Sequence, residues 1–347
     1  MSVVVLGLTL GAIFGAAARA GRFCLLRGMK GLVPGKAARD LSALQAFALA
    51  LAVALAGTQA LNLIGGTDLQ AALPLRAGSP WLAMLIGGAI FGLGMALANS
   101  CGARALVLLA GGNLRSLVVL LCLGLAAQAT LTGVLAPARA AVQQLGQANL
   151  AGLSLPQLIA GAGIPAQVAL AIATILPALA LAAFAWPLIR RRPLEAAMAA
   201  IIGATVVGGW WITFATDDPF DPKPLTSLSY IGPMGESVLW LMLSTGRQAA
   251  FGVAIIGGTL LGAFATALLT RSLRAESFGS PRQTVASALG GALMGFGGVL
   301  ALGCSIGQGL SGLSTLSIAS LVAFAGILAG TALGLLILPQ TAFIERT

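Results

Sequence analysis

The chain has 347 residues, of which 58% are hydrophobic and 8% charged, with a net charge of +10 and no histidine. A soluble globule of this size would hold roughly a quarter charged residues, so the composition specifies an all-α integral membrane protein with many passes. The missing histidine and the scarcity of acids remove the usual general base and most metal-site constellations, so no cofactor or metal is expected. The basic residues sit mostly in short loops, which reads as topology-setting charge rather than a nucleic-acid surface.

In chain order, nine apolar runs are long enough to cross a hydrocarbon core: 3–19, 43–64, 80–99, 115–136, 166–189, 195–214, 249–270, 283–301 and 318–338. The first opens at Val3 without a basic leader and reads as a retained span rather than a cleaved signal. Shorter Gly/Ser/Pro-rich stretches follow Cys24, Cys101 and Cys304, and another occupies 225–246. Irregular backbone of this kind is tolerated at membrane depth where protein or a water-filled cavity surrounds it, so these stretches read as re-entrant loops with half-helices. With the N-terminus outside, the inner loops hold 15 of the 19 basic residues, among them Arg19, Lys36, Arg39, Arg115, Arg190–Arg192 and Arg346. The outer loops keep Arg76, Arg139, Lys223 and Arg247. That split predicts N-terminus out and C-terminus in.

The whole of 1–347 reads as one membrane domain with an inverted internal repeat. Its first half is 1–136, its second 195–338, and the helix at 165–194 links them. Equivalent spans are five apart, an odd number, so the halves run in opposite directions across the bilayer. In transporters built this way, broken helices from both halves meet at a midplane substrate site. Cys24 and Cys101 would approach that level from the cytoplasmic side and Cys304 from outside.

Three of the four cysteines share one register. Each stands nine residues beyond the second glycine of a Gly-Ala-x-x-Gly frame: Gly11–Gly15 before Cys24, Gly88–Gly92 before Cys101, and Gly291–Gly295 before Cys304. Gly87–Cys101 and Gly290–Cys304 align without a gap and match at eight of fifteen positions. A thiol placed where a span ends and a half-helix begins meets unsatisfied backbone N–H groups and a positive dipole end, which suits an anion. Small-residue packing explains one such cysteine well, but not three at a repeated register. A permanent disulfide is not expected, because two of the thiols face the reducing side and Cys304 enters from the opposite face. Cys122 lies outside the frame and reads as inert core. Arg22, Ser100, Arg104, Ser305 and Gln308 flank the thiols and are secondary candidates for the path, although the two arginines serve equally well as topology anchors. The fourth unit opens at Gly203-Ala204, yet its cysteine register falls near Thr216 or Asp217, where no thiol is present, and the run Asp217–Pro222 reads as a cap on an outer vestibule. The Gly-x-x-x-Gly spacing favours close helix contact. Asn113 is placed to cap the fourth span, and Trp210 and Trp211 read as packing or interfacial aromatics.

At Gly21-Arg22-Phe23-Cys24, at Gly92–Ala98 running into Cys101, and at Gly112-Asn113-Leu114-Arg115-Ser116, the chain resembles the sulphur-transport (YeeE/YedE) family of bacterial inner-membrane proteins. Gly295-Phe296-Gly297, Ala301-Leu302-Gly303-Cys304 and Gly309–Ser314 complete the resemblance, which covers nearly the whole chain. It implies an hourglass-like protein of nine spans that takes up thiosulfate from the periplasm, with essential thiols at Cys24, Cys101 and Cys304 passing the anion along by S–H contacts. It also implies a possible partner, a small cytoplasmic sulfur-carrier protein. No such domain is seen before Thr347, so that partner would be separate. Asn99-Ser100 before Cys101, where the third copy has Leu-Gly, and the Pro/Asp-rich run at 217–222 depart from the pattern and bear on substrate more than on fold.

Physically, three polarizable thiols and half-helix N-termini offset the dehydration of an oxyanion, and weak sites in series let an ion leave as well as enter. Two alternatives stay open: a transporter of another sulfur or selenium species, and a membrane sulfurtransferase carrying a cysteine persulfide. The second lacks a carboxylate or histidine to activate its thiol.

Overall fold

The computed structural model describes residues 2–32, 40–67, 69–75, 80–144, 154–217, 224–276 and 280–337. Its helices in chain order are α1 (Val3–Ala20), α2 (Leu25–Lys30), α3 (Ser42–Ile64), α4 (Trp81–Ala98), α5 (Gly102–Ala110), α6 (Leu114–Leu131) and α7 (Ala136–Gln144). They continue with α8 (Leu155–Gly161), α9 (Ala166–Arg191), α10 (Pro193–Ala215), α11 (Ile231–Met242), α12 (Phe251–Leu269), α13 (Pro281–Leu300) and α14 (Ile318–Ile337). A π-helical segment, Gly307–Gly312, lies between the last two. Among the described residues there is no strand, and nine helices are long and apolar enough to span a membrane: α1, α3, α4, α6, α9, α10, α12, α13 and α14.

These helices fall where the apolar runs predict them, with one shortened end. The fourth span, expected to reach residue 136, stops at Leu131, because Gly133 and Leu135 both donate their N–H groups back to the Ala129 carbonyl and turn the chain. α7 and α8 were not among the expected elements. Asn113 caps α6 as expected, its side-chain oxygen accepting the Ser116 N–H at 3.1 Å. Lys36, Arg39, Arg76, Lys223, Arg346, the polar run from Asp218 to Pro222, and the chain from Leu338 to Thr347 lie outside the described residues.

The second glycine of each repeated frame faces the backbone of another helix. A Cβ on Gly15, Gly92 or Gly295 would run into the carbonyl oxygen of Thr259, Ile327 or Leu123 respectively. Small residues at these seams let helix axes approach closely, the device that holds helices together where no hydrophobic force separates protein from lipid. The seams pair α1 with α12, α4 with α14, and α13 with α6. α3 packs on α10; the contacts α1–α10 and α4–α13 join the pairs into two groups of four, and the short helices α5 and α11, each touching both α6 and α12, hold the two groups together. α9 lies on the outside against α3, with most of its surface exposed.

At the end of the bundle that holds the C-terminus of α1, ion pairs tie short and long elements together. Arg27 of α2 meets Glu195 of α10 at 3.3 Å, and Arg192 reaches Glu195 at 3.3 Å and Asp40 at 3.6 Å. The Asp40 carboxyl is held below its ordinary range, first by the Ser42 side chain and then by the Ser42 backbone N–H.

Candidate functional site

Each of the three repeated cysteines sits in the same piece of backbone. Two residues before it stands a non-glycine residue in the left-handed region: Arg22 (φ 48°), Asn99 (φ 57°) and Leu302 (φ 55°). One residue before it, an N–H closes the preceding helix five residues back: Phe23 to Ala18 (3.0 Å), Ser100 to Met95 (3.2 Å) and Gly303 to Gly298 (2.8 Å). The cysteine carbonyl then accepts the first bond of the next turn, from Gly28 (3.3 Å), Ala105 (2.8 Å) and Gln308 (2.7 Å). A span ends in a Schellman turn and the thiol opens a short helical segment. Left-handed backbone is unfavourable by about 1–2 kcal/mol for an arginine or a leucine. Strain of this kind persists where the surrounding structure over-determines it, and it gathers at functional sites.

The three thiols are buried and free of disulfides. Cys24 and Cys101 line one narrow cleft together with Phe14, Phe23, Arg104 and Ser305. Cys101 lies within electrostatic reach of both Cys24 and Cys304, and its sulfur is met by the Arg104 backbone N–H and the Ser305 hydroxyl. The Cys304 sulfur is faced by the backbone N–H groups of Gly307 (3.3 Å), Ile306 and Tyr230. Converging backbone donors of this sort form a nest for negative charge. The cleft holds about 10 Å³ of open space, roughly one water. A column of stacked rings, Phe23 on Phe47 and Phe47 on Phe324, each pair 5.7 Å apart, stiffens the wall beside Cys24.

A second cavity, of about 880 Å³, opens at the end of the bundle that holds Ser2. Thr226, Ser227, Ser229, Glu236, Arg247 and Gln248 contribute polar groups to it, and Leu302 and Gly303 form part of its wall, one residue from Cys304. The wall of this wide vestibule reaches Gly303 and that of the narrow cleft begins at Ser305, so the two lie on either side of Cys304, which lines neither.

The secondary candidates separate. Ser305 and Arg104 line the thiol cleft. Among the described residues the Arg104 guanidinium makes no hydrogen bond or ion pair, although it stands in the first turn of α5, where the helix dipole disfavours a cation. Ser100 is buried, but its hydroxyl donates to the Cys101 carbonyl at 3.1 Å. Gln308 is buried outside the cleft and donates to the Ala301 carbonyl at 2.8 Å, and Arg22 is exposed. Cys122 lies apart from the other thiols, half-buried in the α6–α13 seam beside Gly291. Trp210 is buried and donates to the Ser314 hydroxyl at 3.2 Å, whereas Trp211 is exposed.

Two residues at this site escape a sequence reading. Arg247, counted there only as an outer-loop charge, lines the vestibule. Tyr230 is the second: the sequence count from Gly203 points to Thr216 or Asp217, and Thr216 ends α10, whereas the short helix α11 begins directly after Tyr230.

A model of the family described as Sulphur transport matches residues 20–333. The chain is also 29% identical over 329 residues to the Thiosulfate transporter TsuA of Escherichia coli (strain K12), covering 89% of this chain and 87% of the relative. Helices long enough to span a membrane and a family match across nearly all of the described bundle agree: the chain is a multi-pass membrane protein that belongs to the sulphur-transport family.

Proposed function

We propose that the protein imports thiosulfate from the periplasm to the cytoplasm of a bacterial cell, through a path on which Cys304, Cys101 and Cys24 hold the anion in turn by non-covalent S–H contacts. The observation that carries this reading is the repeated cysteine frame, which puts Cys24 and Cys101 in one narrow cleft with Cys304 within electrostatic reach of Cys101, close to a wide cavity with polar groups in its wall. The anion enters past Arg247 and exchanges water for the N–H groups around Cys304. It then passes Cys101, where Ser305 adds a donor, and leaves past Cys24 and Arg104. No station binds through more than a few weak contacts, which lets the ion move on.

The inverted repeat and an hourglass shape belong to the same proposal. Exchanging the halves carries α1–α12 onto α10–α3, α4–α14 onto α13–α6, α2–α3 onto α11–α12, and α5–α6 onto the π segment with α14, and every one of these pairs is in contact. Opposed halves of this kind set broken helices tip to tip.

The N-terminus faces the periplasm in this reading. A cysteine introduced by Arg139→Cys in a Cys122→Ala background is expected to react with a membrane-impermeant maleimide in intact cells, and one introduced by Arg190→Cys only after permeabilisation. The opposite pattern would reverse the orientation.

The decisive experiment is uptake of radiolabelled thiosulfate into proteoliposomes, with sulfate, sulfite and selenite as competitors. Saturable uptake blocked by excess unlabelled thiosulfate, with the intact mass of the protein unchanged after turnover, is expected. A sulfur adduct on Cys24 or Cys101 that forms and decays with turnover would replace the relay with a persulfide mechanism. Arg104→Gln is expected to raise the KM about tenfold, roughly 1.4 kcal/mol, in the range of a lost charge-assisted contact, with Arg104→Lys recovering part of it. An unchanged KM would remove Arg104 from the path. A separate acidic sulfur-carrier protein at the basic inner face is the partner this reading accommodates.

A further inference from the structure

We infer that Tyr230 is a fourth station of the path, a phenol standing where the other three units place a thiol, and that it passes the anion from the vestibule to Cys304. This rests on the transport reading above and extends it by one residue.

Tyr230 is the only tyrosine in the chain and is fully buried. It immediately precedes the first residue of α11, the position that Cys24 and Cys101 occupy before α2 and α5. Its backbone N–H faces the Cys304 sulfur, and its phenol lies within electrostatic reach of Cys304 and, more weakly, Cys101. Its sequence neighbours Ser229 and Ile231 line the vestibule, while its ring packs at 5.2 Å on Phe14, which lines the thiol cleft. Tyr230 itself lines neither cavity; it is buried between a residue pair that lines one and a ring that lines the other.

The hydroxyl is equipped for this position. It pairs with the Thr259 hydroxyl at 3.0 Å. A phenol oxygen has one proton to donate and can accept from a second group. With Thr259 as donor, the Tyr230 proton is free for an anion oxygen arriving from the vestibule. A phenol is a harder donor than a thiol. It suits the oxygen end of a sulfur oxyanion and leaves the polarizable sulfur end for the thiols.

Tyr230→Phe, Thr259→Val and Cys304→Ala, assayed together in proteoliposomes per amount of folded protein, test this. Tyr230→Phe is expected to lower thiosulfate uptake at least tenfold, while Thr259→Val, which keeps the phenol and removes only its brace, stays within about twofold of wild type. Wild-type uptake by Tyr230→Phe would overturn the assignment. So would an equal loss in both variants, or a Tyr230→Phe protein too unstable to purify, because either result makes the phenol a brace between α11 and α12. Cys304→Ala reports on the parent reading separately: full uptake there would sink the thiol relay whatever Tyr230→Phe does.

Discussion

Replacing Cys304 or Cys101 by alanine is expected to reduce thiosulfate uptake to about 1% of wild type or less, and to prevent growth of cells that depend on thiosulfate as sulfur source. A hundredfold loss corresponds to about 2.7 kcal/mol on the barrier. One hydrogen bond to a charged group contributes about 1.5–3 kcal/mol, so removing a single S–H donor from a dehydrated anion is sufficient. Cys101 is the most exposed to this logic, because it lies within electrostatic reach of both other thiols and shares Ser305 with the path. Alanine fits the same capped backbone, so the loss is expected without loss of folded protein. Cys122→Ala, at the α6–α13 seam, is expected to transport normally. Growth of the Cys101→Ala strain at the wild-type rate on thiosulfate alone would falsify the relay.

Gly92→Val is expected to remove most of the protein from the membrane, or to lower its melting temperature in detergent by at least about 5 °C. A Cβ at that position would run into the Ile327 carbonyl and lie 2.5 Å from the Thr331 N. Backbone atoms cannot rotate away as a side chain would, so α4 and α14 must separate along the whole seam. Overpacking in a well-packed core ordinarily costs about 1–3 kcal/mol, occasionally more. Gly257→Ala is the control: its Cβ would meet only Leu8 Cδ2, at an ordinary 3.5 Å. There the better helix propensity of alanine, up to about 1 kcal/mol, leaves stability unchanged or improved. Equal stability of Gly92→Val and wild type, measured by thermal denaturation, would contradict the close seam.

Hydropathy made the spans legible because lipid demands about 20 apolar residues wherever a helix crosses. The cysteine register was legible for the same reason the seams exist: the Gly-Ala-x-x-Gly frame fixes one helix face, and the thiol follows at constant distance. Other features lie beyond local sequence. Of the three left-handed residues ahead of the thiols, only Asn99 carries a recognised signal for that conformation, since arginine and leucine ordinarily avoid it. Ser305 and Gln308 both follow Cys304 and looked alike as candidates. The turn and π-helical segment at 305–312 place Ser305 in the cleft and leave Gln308 on the Ala301 carbonyl, a difference that no spacing rule predicts. The proposed role of Tyr230 lies beyond a count from Gly203, which lands at Thr216 or Asp217, well before α11. α8 was the easier miss: Ser154 and Gln157 form a capping box, with the Ser154 N–H donating to Gln157 Oε1 at 2.9 Å, and that pattern is readable.

The single-water cleft also bears on how the cell keeps its membrane charged. Protons and small cations leak along continuous threads of liquid, and a throat with room for about one molecule breaks the thread. A wide-open pore of this kind would drain the proton-motive force. On the proposed path this cleft is shut at rest, so each ion would cross only during a brief widening, and turnover would follow the microsecond-to-millisecond scale of collective motions rather than ion-channel speed.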